Sequence, residues 1–87
     1  MEYRLLVDIE VVEALDALPK KTRTRLINHF YKIRSFPENH SDYHERDSAG
    51  RRVEICVFAG HAIHYWTDFA DRHVKILALK PADTGAA

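Results

Sequence analysis

Between Tyr3 and Ile9 the chain reads Y-R-L-L-V-D-I, a β-branched and aromatic run of strand length that ends in charge, and it predicts a first strand. From Glu10 the spacing changes. Val11, Ala14, Leu15 and Leu18 fall at helical intervals, with Glu10 and Glu13 in the first turn, where the helix dipole favours acids. This predicts a short helix that stops at Pro19. A second helix is expected from Lys20 to Arg34: Leu26, Ile27, Phe30 and Ile33 mark one face, and bases gather on the other. Ser35-Phe36-Pro37 ends it, because a residue before proline avoids the helical region.

The stretch from Glu38 to Gly50 is polar and reads as a loop, with room for a short edge strand near Tyr43. After it, Val53, Ile55 and Val57 alternate with Arg52, Glu54 and Cys56, the period of a half-buried strand. Ala59-Gly60-His61 reads as a three-residue hairpin loop that sets Phe58 opposite Ala62. In that register Val53, Ile55, Val57, Ile63 and Tyr65 share the core face. Arg52, Glu54, Cys56, His64, Trp66 and Asp68 then share the other. A second turn over Phe69 to Arg72 leads into H-V-K-I-L-A-L-K, whose apolar middle suits a strand covered on both faces, and Pro81 ends it.

The expected class is α+β: an N-terminal strand and two tandem helices packed on a mostly antiparallel sheet of about four strands, in the order β-α-α-β-β-β. With 87 residues, 46% of them hydrophobic, the chain closes one core, so residues 1–82 are read as a single domain and 83–87 as a frayed tail. The single cysteine, Cys56, rules out an internal disulfide and fits a reducing compartment. The acidic start lacks the flank and apolar run of a signal peptide, and no run is long enough to cross a membrane, so the expected location is the cytoplasm.

Zero net charge hides a separation along the chain. Residues 1–19 hold five acids against Arg4, whereas residues 20–34 hold Lys20, Lys21, Arg23, Arg25, Lys32 and Arg34 and no acid. A local positive field on the second helix follows, suited to phosphate. The six histidines show no metal-ligand spacing, so no metal and no cofactor is expected.

The order of these elements resembles the RelE/ParE family of small bacterial toxins, over residues 3 to 80. In that family a glycine opens a Gly-Tyr-Arg-Val-x-Tyr type of motif, followed by an acidic turn and an apolar last strand. Here the region reads Gly60-His61-Ala62-Ile63-His64-Tyr65, then Asp68 to Arg72 and Val74 to Leu79. Leu18-Pro19 followed by bases resembles the family's turn between helices. The motif arginine falls on Ala62, and Pro81 to Ala87 lacks the basic and aromatic residues of ribonuclease members.

The resemblance implies a toxin of a type II toxin-antitoxin pair with a cognate antitoxin as partner. It further implies a ribosome-dependent mRNA endonuclease, in which a 2′-hydroxyl attacks the neighbouring phosphate and the protein supplies proton transfer and positive charge. The candidate catalytic residues are His64 as base or acid, Glu54 as its partner, and Arg52 and Lys80 as phosphate clamps. Lys20, Lys21, Arg23, Arg25 and Arg51 are the candidate RNA-binding bases, with Trp66 as a stacking platform. Two alternatives stay open: a ParE-like toxin that inhibits DNA gyrase without cutting RNA, and an inactive binding or regulatory relative.

Overall fold

The computed structural model describes residues 3–82; the expected tail at 83–87 lies outside them. The order is β1 (Arg4–Val7), α1 (Ile9–Asp16), α2 (Lys20–Ser35), a 3-10 turn (Pro37–Asn39), β2 (Tyr43–Arg46), β3 (Arg52–Phe58), β4 (His61–Asp68) and β5 (His73–Pro81). The α+β class holds, and the expected β-α-α-β-β-β order holds with one further strand, β2, between the helices and the last three strands. The sheet has five strands rather than four, because the edge strand at Tyr43 pairs fully with β3.

Strand order is β1-β5-β4-β3-β2, with β1 parallel to β5 and every other pair antiparallel. Asp8 caps α1 by accepting from the Glu10 amide at 3.0 Å, so the chain leaves β1 directly into the helix. α2 begins at Pro19 with no side-chain cap, and its first turn holds bases and no acid. That arrangement opposes the helix dipole. Both helices lie on one face of the sheet, where Val11, Leu15, Leu26, Phe30 and Ile33 pack against Cys56, Ile63, Tyr65, Val74 and Ile76.

The hairpin between β3 and β4 corrects the expected register. Ala59 (φ 52°) and Gly60 (φ 76°) both lie in the left-handed region, so the loop has two residues and Phe58 pairs with His61. A loop one residue shorter turns β3 over relative to β4. Glu54, Cys56 and Phe58 therefore share the helix-covered face with Ile63 and Tyr65, while Val53, Ile55 and Val57 share the opposite face with His64 and Trp66. That face has no helix on it. Ile55 is nonetheless fully buried between its cross-strand neighbours Tyr43 and His64, whereas Val57 is 48% exposed.

Cys56 moves with this correction from the open face to the core, where its thiol lies 3.3 Å from His29 Nε2. Burial pushes the thiol up to about 11, so it packs as a neutral group. His29 in turn stacks on Phe58 with centroids 3.9 Å apart, tying α2 to the end of β3.

Candidate functional site

The four catalytic candidates divide between the two faces. His64 and Lys80 are on the open face, and Lys80 stands across from Ala62, one step along from His64. Glu54 and Arg52 are on the helix side, beyond the end of α2, so the expected pairing of Glu54 with His64 does not occur. Instead Glu54 accepts from Arg52 Nε and from the Ser41 hydroxyl, each at 2.7 Å. This cluster lines a cleft of about 760 Å³ together with Tyr43, His44 and Phe69.

His64 is tightly enclosed on the open face, with a side chain only 15% exposed. The β4–β5 ladder is interrupted between His64 and Tyr65, which leaves Leu77 as the extra residue of a bulge on β5. Such an irregularity re-aims the side chains beside it. His64 Nδ1 lies 4.0 Å from Glu45 Oε1, a carboxylate of the edge strand β2. Burial holds the imidazole below its ordinary value; Lys80 lowers it further, and Glu45 opposes both. At neutral pH the ring is thus uncharged, able to accept a proton, with a cation on one side and an anion on the other.

Glu45 was not among the residues singled out from the sequence. The signal for it was the short strand at Tyr43: pairing Tyr43 with Ile55 and Glu45 with Val53 places Glu45 on the open face. Lys75 was missed as well. It pairs with Trp66 across β4 and β5, and its ammonium lies 5.1 Å from the indole centroid. Arg51 reaches the same ring from the start of β3, at 4.8 Å.

The basic residues of α2 lie on the other side of the molecule. Arg25 sits over the Phe58 ring at 5.4 Å, and Arg23 is 4.0 Å from Asp16 of α1. The helix and the open sheet face are therefore two separate positive surfaces. Beside the helices, Leu5, Val7, Val12, Leu15, Ile27 and Tyr31 line an apolar groove of about 250 Å³ along the edge strand β1.

Among the described residues one group brings three metal-ligating atoms within 4.8 Å: Asp68, Asp71 and His73, at the β4–β5 turn. Asp68 there already accepts from the Asp71 amide at 3.1 Å, as a turn-forming carboxylate does. No helix among the described residues is long and apolar enough to cross a membrane.

No protein-family model and no curated protein matches the chain. Solved structures do. The archaeal RelE–RelB complex from Pyrococcus horikoshii contains a chain 26% identical, with full coverage of both chains and a TM-score of 0.78. A chain of the RelBE2 complex from Mycobacterium tuberculosis is 13% identical at a TM-score of 0.81, covering 94% of this chain and all of that one. A chain of the intact Escherichia coli RelBE complex is 15% identical at 0.71, covering 93% and 98%. The fold is that of the RelE-type toxin-antitoxin toxins.

Proposed function

Starting from a RelE-type fold, we propose that this chain is the toxin of a type II toxin-antitoxin pair and acts on mRNA at the ribosome, through the sheet face that no helix covers. The observation that carries the reading is His64: a largely buried, uncharged imidazole at a strand irregularity, between Lys80 and Glu45, on that face. In an RNA strand laid across the face, His64 takes the proton from a 2′-hydroxyl. The freed oxygen attacks the adjacent phosphate, the bond to the 5′-oxygen of the next nucleotide breaks, and that oxygen takes a proton from solvent water while His64 returns the proton it gained to solvent. Lys80 offsets the charge that develops on the phosphate.

Lys80 also bears on the motif arginine that falls on Ala62. It is the direct cross-strand partner of Ala62 and shares its face, so a cation is carried over that position from the neighbouring strand. Glu45 replaces Glu54 as the carboxylate near the imidazole. Arg52 and Glu54 neutralise one another on the far side and line the cleft there.

The proposed partner is an antitoxin, as in the RelE–RelB complexes that share this fold. Its seat is the groove beside β1, where an amphipathic helix or strand of the partner covers Val12, Tyr31 and the free edge of β1. The basic first two turns of α2, whose start runs against the helix dipole, then serve contact with ribosomal RNA through Lys20, Lys21, Arg23 and Arg25.

The test is induced expression in a bacterial host of the wild type and of a His64→Ala, Lys80→Ala chain. Growth arrest with transcripts cut in translated regions, abolished in the double variant, is the expected result. Arrest with intact transcripts and broken DNA would replace this reading with gyrase inhibition, and no arrest would leave an inactive antitoxin-binding relative.

A further inference from the structure

Trp66 is the only tryptophan of the chain, and its ring is already engaged. Arg51, just before β3, and Lys75, in β5, approach it from either side of β4, at 4.8 and 5.1 Å from the centroid. Two cations held to one indole are less than 10 Å apart, an arrangement that mutual repulsion disfavours and the ring's electron density offsets. Arg51 is fixed further by its 2.8 Å bond from Nε to Asp47, whose carboxyl sits below the usual range chiefly because it accepts the Arg51 backbone amide. That bond engages Nε and leaves the guanidinium's terminal nitrogens, whereas Lys75 has three donors on a flexible stem.

A nucleobase stacking on this ring would have to displace one of the two cations. A phosphate needs no ring face, and the terminal nitrogens of Arg51 and the flexible Lys75 ammonium are the donors it would take at the rim of the ring. Trp66 and His64 are two residues apart on the same face of β4, about 7 Å along the strand. That is about the separation of successive phosphates in an extended polynucleotide.

We infer that Arg51 and Lys75 form a subsite for the backbone phosphate next to the one at His64, and that Trp66 is a positioning residue holding these cations rather than a platform for a base. The inference relies on the preceding reading only in taking the polyanion to be RNA. The subsite makes the face read backbone at this point, so binding here is indifferent to base identity.

The emission of Trp66 reports the subsite with no interfering signal from another indole. Purified full-length protein is titrated with inorganic triphosphate, which has no base, and with a short RNA whose 2′-hydroxyls are blocked. Both are expected to perturb Trp66 emission. Arg51→Gln with Lys75→Gln weakens both by about tenfold and lowers the salt dependence of RNA binding by roughly 1.4 in logarithmic slope, as expected for two lost contacts on a single strand. Lys32→Gln, an equal change of charge per site on the opposite side of the molecule, leaves both titrations unchanged. Trp66→Phe, followed by calorimetry, retains most of the affinity and Trp66→Leu loses it, with circular dichroism checking that each variant is folded. Equal affinity in the Arg51, Lys75 double variant overturns the subsite. An RNA signal with none from triphosphate overturns it in favour of base stacking. Intact triphosphate binding in a protein that cuts no transcript would remove the nuclease reading and leave the subsite standing.

Discussion

Phe58 stands directly opposite His61 across the β3–β4 hairpin, and this single pairing decides which side chains share the open face with His64. The pairing depends on Ala59 and Gly60 both taking positive φ. A Cβ at Gly60 would meet nothing within 4 Å, so its only penalty is conformational. Gly60→Ala is expected to cost about 1 kcal/mol, read as a lower urea midpoint at unchanged slope. A changed slope would mean instead that the hairpin had adopted another register.

Tyr65, buried in the core, donates its hydroxyl to the Pro37 carbonyl at 2.6 Å and so pins the turn after α2 against the sheet. Burial pushes the phenol well above its ordinary value, and it stays a donor throughout the useful pH range. Tyr65→Phe keeps the packing and strands that carbonyl, so unfolding experiments should find a loss of about 1–2 kcal/mol.

His29 is packed by Phe58, His40 and Cys56, and burial holds its imidazole below the ordinary value; His40 and Lys32 act in the same direction, and Asp42 opposes them. The unfolded chain therefore binds a proton here more readily than the folded one. Stability is full above the unfolded value near 6.5 and falls as pH drops below it. Thermal melts between pH 7.5 and 5 should show this loss, and His29→Gln should flatten part of it.

If His64 acts as a base, the rate of RNA cleavage rises with pH through the imidazole's lowered value, giving an acid limb centred below 6.5. Lys80 and Glu45 push that limb in opposite directions. Glu45→Gln removes the group that raises the imidazole and should move the limb to lower pH. Lys80→Gln should move it up while also slowing the reaction. Movement of both variants in one direction would contradict the placement of His64 between the two charges.

Helix α2 was legible to within a residue because four apolar positions at helical spacing were framed by Pro19 and Pro37, which act on the backbone alone. The helical span of α1 and the four-residue turn before β5 were legible for the same kind of reason. The register of β3 was not. Val53, Ile55 and Val57 read as a core stripe, yet two of them are buried by neighbouring side chains of their own sheet rather than by helices. Alternation shows that a strand has two unlike faces, not which one a helix covers. The deciding feature was an alanine at positive φ, which its residue type does not announce. Glu45 was hidden likewise, since the use of a carboxylate in the middle of the polar stretch from Glu38 to Gly50 depends on the pairing of that stretch. The parallel pairing of β1 with β5 leaves no local signal at all.

That last pairing has a temporal consequence. β5, at residues 73–81, lies between β1 and β4, so the earliest strand can join the sheet only through the latest one. Closure of that long interval is the slow, entropically costly step expected of non-local topologies. During synthesis the helices form early, but β1 stays unpaired and Val74 and Ile76 are missing from the core until nearly all of the described chain has emerged. The open face bearing His64, Trp66 and Lys80 thus comes together only after β5, which carries Lys80 and separates β1 from β4, has been made.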